Sequence, residues 1–166
     1  MRIASTIHDS IVDGPGLRFV VFTQGCTHCC PGCHNEETQP LDGGQEVPIQ
    51  EVIADMNANP LTDGLTLSGG EPMLQPEACR ALAAAAHERG LNVWCYTGFL
   101  FEQLLEDPRQ RALLDEVDVL IDGPFLLSRK SLTLKWRGSD NQRVLDVKKS
   151  LDQGAAVFLE GFDPEH

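Results

Sequence analysis

The sequence is short of positive charge. Its 166 residues hold 13 Lys and Arg against 25 Asp and Glu, a net charge of −12. That balance argues against a nucleic-acid partner gripped through its phosphates. Long apolar runs are also missing: none approaches the ~18 residues of a membrane span, so no membrane partner is expected. The opening residues, MRIASTIHDS, lack a basic stretch followed by an apolar one. No secretory leader is therefore expected, and a cytoplasmic protein is. Gly and Pro number 15 and 10, too few for a low-complexity or collagen-like chain. Internal repeats, low-complexity tracts and linkers are absent, so the expectation is one domain over residues 1–166, long enough to bury a core.

Against these absences stand six cysteines, four of which (Cys26, Cys29, Cys30 and Cys33) fall within eight residues. A secreted disulfide scaffold would spread its cysteines. A tight cluster in a reducing compartment points instead to a metal site. Thiolates suit both iron–sulfur clusters and zinc. Cys26-x3-Cys30-x2-Cys33 would hold three irons of a [4Fe–4S] cubane and leave the fourth open to a substrate. Two other readings stay open here. The pairs Cys26/Cys29 and Cys30/Cys33 would make a four-sulfur zinc set, although adjacent Cys29 and Cys30 are hard to aim at one tetrahedral ion. A closed four-cysteine cluster would serve electron transfer alone. Cys79 and Cys95 read as buried small apolar residues.

Apolar runs alternate with helical patterns along the chain. Phe19–Thr23, Gly64–Ser68, Leu91–Thr97, Val117–Asp122 and Ala155–Glu160 read as strands. Helices are expected around Ile49–Met56, Ala78–Arg89, Leu100–Glu116 with a break at Asp107-Pro108, and Asp146–Gln153 with Gly154 as its cap. Strand–helix alternation predicts an α/β fold with a mostly parallel sheet of about five to six strands, and the chain is too short for a complete eightfold barrel. The expectation is a partial, open β/α barrel. Ligands of such sheets gather at the carboxyl ends of the strands. The cysteine loop, Ser68-Gly69-Gly70-Glu71-Pro72, Tyr96-Thr97-Gly98 and Asp122-Gly123-Pro124 all follow strands there. Residues 129–149 carry seven basic and two acidic side chains, either a solvated face or a site for an anionic group.

Residues 14–35 read GPGLRFVVFTQGCTHCCPGCHN. With Gly14, Gly16, Arg18, Phe22, Gly25 and Cys26-x3-Cys30-x2-Cys33-His34-Asn35, this stretch resembles the signature of glycyl-radical-enzyme activases of the radical S-adenosylmethionine (SAM) superfamily. Ser68-Gly69-Gly70-Glu71-Pro72 is similar to that family's GGEP motif. Asp122-Gly123-Pro124-Phe125 and Arg137-Gly138-Ser139-Asp140-Asn141-Gln142-Arg143 are similar to landmarks of the subgroup that acts on the anaerobic ribonucleoside-triphosphate reductase.

The resemblance implies a radical SAM-type partial barrel, one [4Fe–4S] cluster and SAM. It implies an oxidoreductase that cleaves SAM reductively to methionine and a 5′-deoxyadenosyl radical, which takes hydrogen from a glycine of the reductase. Cys26, Cys30 and Cys33 would be the metal ligands. Gly32, Cys33, His34, Ser68, Gly69, Gly70, Glu71 and Asp122 would form the SAM site. Gly69 and Gly70 would let backbone approach the SAM amino group, and Arg137 or Arg143 would neutralise a carboxylate or grip the partner. The implied partners are the glycyl-radical subunit of the reductase and a reduced flavodoxin or similar electron donor. The alternatives are an activase of another glycyl-radical enzyme, of pyruvate formate-lyase type, and a non-catalytic iron–sulfur or zinc module.

Overall fold

The β-branched and aromatic runs form the middle of one seven-stranded sheet. A computed structural model describes residues 1–163. β2 (Arg18–Thr23), β4 (Gly64–Gly69), β5 (Asn92–Tyr96) and β6 (Val119–Asp122) lie side by side and parallel. β1 (Arg2–Ser10) runs antiparallel to β2, the two-residue β3 (Gln45–Glu46) antiparallel to β1, and β7 (Arg143–Asp146) antiparallel to β6. The order across the sheet is β3-β1-β2-β4-β5-β6-β7.

Side-chain alternation assigns the two faces. Phe19, Val21, Leu65, Leu67, Val93, Cys95 and Leu120 point one way and are fully buried. Val52 and Met56 of α1 (Ile49–Asn57), Leu82 and Ala86 of α2 (Pro76–Glu88), and Leu113 and Leu114 of α4 (Pro108–Leu114) cover them, with Leu104 of the short α3 (Phe101–Leu104). On the other face Trp94, Val119, Ile121 and Val144 form a smaller cluster with Tyr96, Trp136 and Phe162. Helix ends follow the local chemistry. Pro76 and Pro108 open α2 and α4, and Asp107 caps α4 through the Arg109 amide at 2.8 Å. Asp146 caps α5 (Val147–Gln153), and Gly154 ends it at φ +71°. No helix among the described residues is long and apolar enough to cross a membrane.

The expected mostly parallel, open β/α barrel is corrected by this sheet. It is mixed, with three parallel and three antiparallel pairings. Three strands lie outside the expected set: the two-residue β3 and the longer β1 and β7. β1 is a polar, half-exposed run, and only residues 11–17 separate it from β2, too short a link for a parallel crossover. β7 lies inside the basic segment, and no α-helix intervenes between it and β6, so it returns antiparallel. Ala155–Glu160, expected as a last strand, makes only the isolated antiparallel bridge Leu145–Phe158. The seven-residue α5 and the Gly154 turn bring it back too soon for a crossover.

Candidate cluster and cosubstrate site

The carboxyl ends of β2, β4 and β5 open into a cavity of about 340 Å³. Its floor is the cysteine loop, rooted on its own backbone. The Gly25 amide donates to Thr38 O at 2.7 Å, the Cys26 amide to Gln39 O at 3.0 Å, and Gln24 Nε2 to Pro40 O at 2.8 Å. Residues 30–33 form a tight turn closed by the Cys33 amide on Cys30 O at 3.1 Å. Pro31 and Gly32 (φ +73°) stand at its second and third positions, the residue types a type II turn favours.

Cys26, Cys30 and Cys33 all line this cavity, whereas Cys29 is exposed and outside its wall, at φ +51°. The Asn35 amide donates to Cys33 Sγ at 3.4 Å, and the backbone amides near Cys26 and Cys30, those of His28 and Phe125, favour the thiolate forms. Burial pushes the Cys26 and Cys30 thiols up from their ordinary range, and the amides oppose this in part. Among the described residues no three His, Cys, Asp or Glu side chains converge as a single-ion cage. What the loop offers is three thiols on one shared cavity. Cys79 and Cys95 are buried under the helices, as expected of small apolar residues, and burial raises Cys79 to about 12.

The Gly-Gly-Glu turn forms the opposite wall, and Ser68, Gly69 and Gly70 line the cavity. The glycines meet a demand from within the protein. A Cβ on Gly69 would collide with the backbone of Thr23, and one on Gly70 with the carbonyl oxygen of Gly25. The strand end therefore presses against the root of the cysteine loop. The Gly70 amide reaches Thr23 O at 2.9 Å, and the Glu71 amide reaches Gly25 O at 2.8 Å.

Glu71 itself lies behind this wall, with no solvent exposure. Its carboxylate accepts from the Thr97 hydroxyl (2.9 Å), the Gly98 amide (2.8 Å) and the Met73 amide (3.0 Å), and pairs with His28 Nε2 (2.6 Å). Those contacts join three loops. Asp122 is likewise fully buried and off the wall. It accepts from the Phe101 amide at 2.8 Å and from Arg143 Nε at 2.9 Å. Arg143 also binds Glu102 at 2.8 Å, which commits its guanidinium. Gly32 is outside the wall too, and a Cβ there would meet Leu127. His34 lines the cavity, its ring 5.1 Å from that of Phe125.

The family profile described as "4Fe-4S single cluster domain" matches residues 12–145, a span that takes in every residue of the cavity wall. The chain is 38% identical over 143 residues to the anaerobic ribonucleoside-triphosphate reductase-activating protein of Salmonella typhimurium. That match covers 81% of this chain and 91% of that protein. The Escherichia coli K12 protein of the same name is 36% identical over 144 residues, with the same coverage. Its counterpart in Enterobacteria phage T4 is 38% identical over 142 residues, 80% of this chain and 86% of that one. The chain belongs to this family of activating proteins.

His28 and Trp136, both on the wall of this activating-family chain, carry no signal in spaced motifs. His28 sits inside the Cys26–Cys30 spacer, and its ring packs 4.6 Å from Phe99. Tyr96 ends β5 and Thr97 follows it, and Phe125, Trp136 and Gln142 come from the long link between β6 and β7. Trp136 holds φ +65°, unusual for a bulky residue. Arg137, one of the two arginines suited to a carboxylate, is the one on the wall.

Proposed function

We propose that this chain activates an anaerobic ribonucleoside-triphosphate reductase, and does so as an iron–sulfur radical SAM enzyme. A [4Fe–4S] cluster, when bound, supplies one electron to SAM, giving methionine and a 5′-deoxyadenosyl radical that takes hydrogen from a glycine Cα of the reductase. A reduced flavodoxin-like protein is the proposed electron source. Cys26, Cys30 and Cys33 would hold the cluster.

The observation that carries this reading is that these three cysteines, and not Cys29, share one cavity wall. The donor set fits. Three soft sulfurs on one wall, with the Asn35 amide on Cys33 and backbone amides favouring the thiolates of Cys26 and Cys30, suit a cluster whose potential is tuned by hydrogen bonds to its ligands. The chain's own part is placement. The type II-like turn orients Cys30 and Cys33, and the Ser68–Gly70 strand end offers backbone groups across the cavity. Glu71 locks that strand end to the β5 end and to His28. His34 and Phe125 supply a ring pair where a flat adenine can lie.

The test is anaerobic reconstitution with iron and sulfide, reduction, and addition of SAM. Formation of 5′-deoxyadenosine is expected, followed by a glycyl-radical signal when the reductase is added. An intact cluster that yields no 5′-deoxyadenosine ends the enzyme reading. Product with no radical on this reductase, but radical on another glycyl-radical enzyme, moves the partner.

A further inference from the structure

Residues 126–137 carry Arg129, Lys130, Lys135 and Arg137 and no acidic residue, in a chain of net charge −12. Arg129 is paired with Asp140, but among the described residues no carboxylate holds Lys130 or Lys135. Three leucines stand among these charges. Leu126, Leu127 and Leu132 are exposed by 38%, 54% and 88%. Arg137 lines the cavity, whereas the three leucines, Arg129, Lys130 and Lys135 lie off its wall.

The segment is fixed in place. Lys130 and Ser139 form an antiparallel bridge, and the Ser131 amide donates to Gly138 O at 3.3 Å. The Lys135 ammonium lies 5.6 Å from the centre of the Trp136 ring, within cation–π range. Leu127 packs against Gly32, where a Cβ would collide with it. Pro31 and Gly32 are themselves exposed and off the cavity wall. The patch therefore adjoins the turn that carries Cys30 and Cys33 without lining the cavity those two residues share.

We infer that this patch is the docking surface for an acidic one-electron donor protein. This rests on the radical SAM reading above, in which one electron passes from the donor to the cluster when bound and no atom is transferred. Electron transfer falls steeply with distance, so the donor must come close to the cysteine turn. It must also leave the cavity free for the glycine segment of the reductase. The patch meets both demands. Charge selects the partner. A chain at −12 repels an acidic protein overall, and the unpaired Lys130 and Lys135 offer the local positive charge that steers one here. The leucines add a small apolar contact, which fits a transient redox encounter with its small interface.

The test is a calorimetric titration of the cluster-loaded protein with a flavodoxin of net negative charge, at about 20 and about 200 mM salt. Lys130→Glu/Lys135→Glu should weaken binding about 10-fold or more at low salt and much less at high salt, where exposed charges are screened. Leu132→Ser should weaken it about threefold at both, since it removes apolar contact alone. Lys148→Glu/Lys149→Glu makes the same charge change on α5, which starts beside Asp118 at the other end of the sheet, and should cost far less. Equal losses in the two charge variants would reduce the effect to net charge and overturn the assignment. So would unchanged affinity in Lys130→Glu/Lys135→Glu and Leu132→Ser, or a wild type that binds no flavodoxin. Variants that lose the reductase and keep flavodoxin would give the patch to the reductase. The radical SAM reading is checked apart, with dithionite as the reductant. All these variants should then form 5′-deoxyadenosine at the wild-type rate. If dithionite-reduced wild type forms none, that reading falls whatever the titration gives.

Discussion

Nε2 of His28 lies 2.6 Å from Oε1 of Glu71, a carboxylate with no solvent exposure. This contact ties the spacer between two cavity cysteines to the end of β4, and Glu71 also holds the amides of Met73 and Gly98. Its removal strands several buried donors at once. Each stranded group costs about 1–3 kcal/mol, so Glu71→Ala should lose about 3 kcal/mol or more in urea unfolding and load less iron. Glu71→Gln, which keeps one acceptor oxygen, should lose less. A Glu71→Ala protein of normal stability and iron content that has lost only SAM binding would place Glu71 on the ligand rather than in the frame.

Arg18 is fully buried and donates to Thr66 Oγ1 (2.7 Å), Pro15 O (2.9 Å) and Leu65 O (2.8 Å). Gly14 and Gly64 leave it room, since a Cβ on either would collide with its side chain. Gly14, Arg18 and Gly64 are thus a packing unit at the start of β2, while a Cβ on Gly16 would meet Asp63. Gly64→Ala should destabilise by about 1–3 kcal/mol through overpacking. The penalty should shrink in an Arg18→Ala background, and a double-mutant cycle in urea reads the coupling. Additive losses would mean that the glycine serves something other than the arginine.

His87 bridges two carboxylates at the opposite end of the sheet, Glu116 through Nδ1 and Asp118 through Nε2, both at 2.9 Å. Partial burial pulls its pKa down, but the two carboxylate contacts outweigh it and leave the pKa raised. The charged form therefore adds stability that is fully present below the unfolded histidine value, roughly 6.5. That stability is lost as pH climbs through the raised folded value. The groups are partly exposed, so the contribution is about 1 kcal/mol or less. Urea midpoints should fall from pH 6 to pH 8 by more in wild type than in His87→Gln. Parallel curves would remove the ion pair from the pH response.

Central strands and outer ones differed in how plainly they could be read. β2 and β6 are buried on almost every residue and appear as unbroken apolar runs. β1 alternates without a clean apolar face because it is half exposed, and β7 hides in a basic stretch. The sheet's mixed direction depends on those two. At the site, the spacing of Cys26, Cys30 and Cys33 is local and legible. The burial of Glu71 and Asp122 is not, because their donors come from Thr97, Gly98, Phe101 and Arg143, far along the chain. Gly69 and Gly70 line the cavity, and the sequence does not show that their missing Cβ atoms also clear the Thr23–Gly25 backbone.

The choice among four neighbouring cysteines yields the sharpest prediction. Cys30 lies on the cavity wall, while Cys29 is exposed and off that wall. Cys30→Ala should abolish stable cluster loading, because it removes one of the three wall sulfurs. Cys29→Ala should keep iron and sulfide content within about twofold of wild type, since an exposed substitution away from such features shifts stability by at most about 0.5 kcal/mol. Iron and sulfide assays on the reconstituted variants, with electron paramagnetic resonance of the reduced cluster, read both. If Cys29→Ala loses the cluster and Cys30→Ala retains it, the loop rearranges on loading and the ligand set is Cys26, Cys29 and Cys33. If both lose it, four sulfurs close the cluster and no iron is left open for SAM.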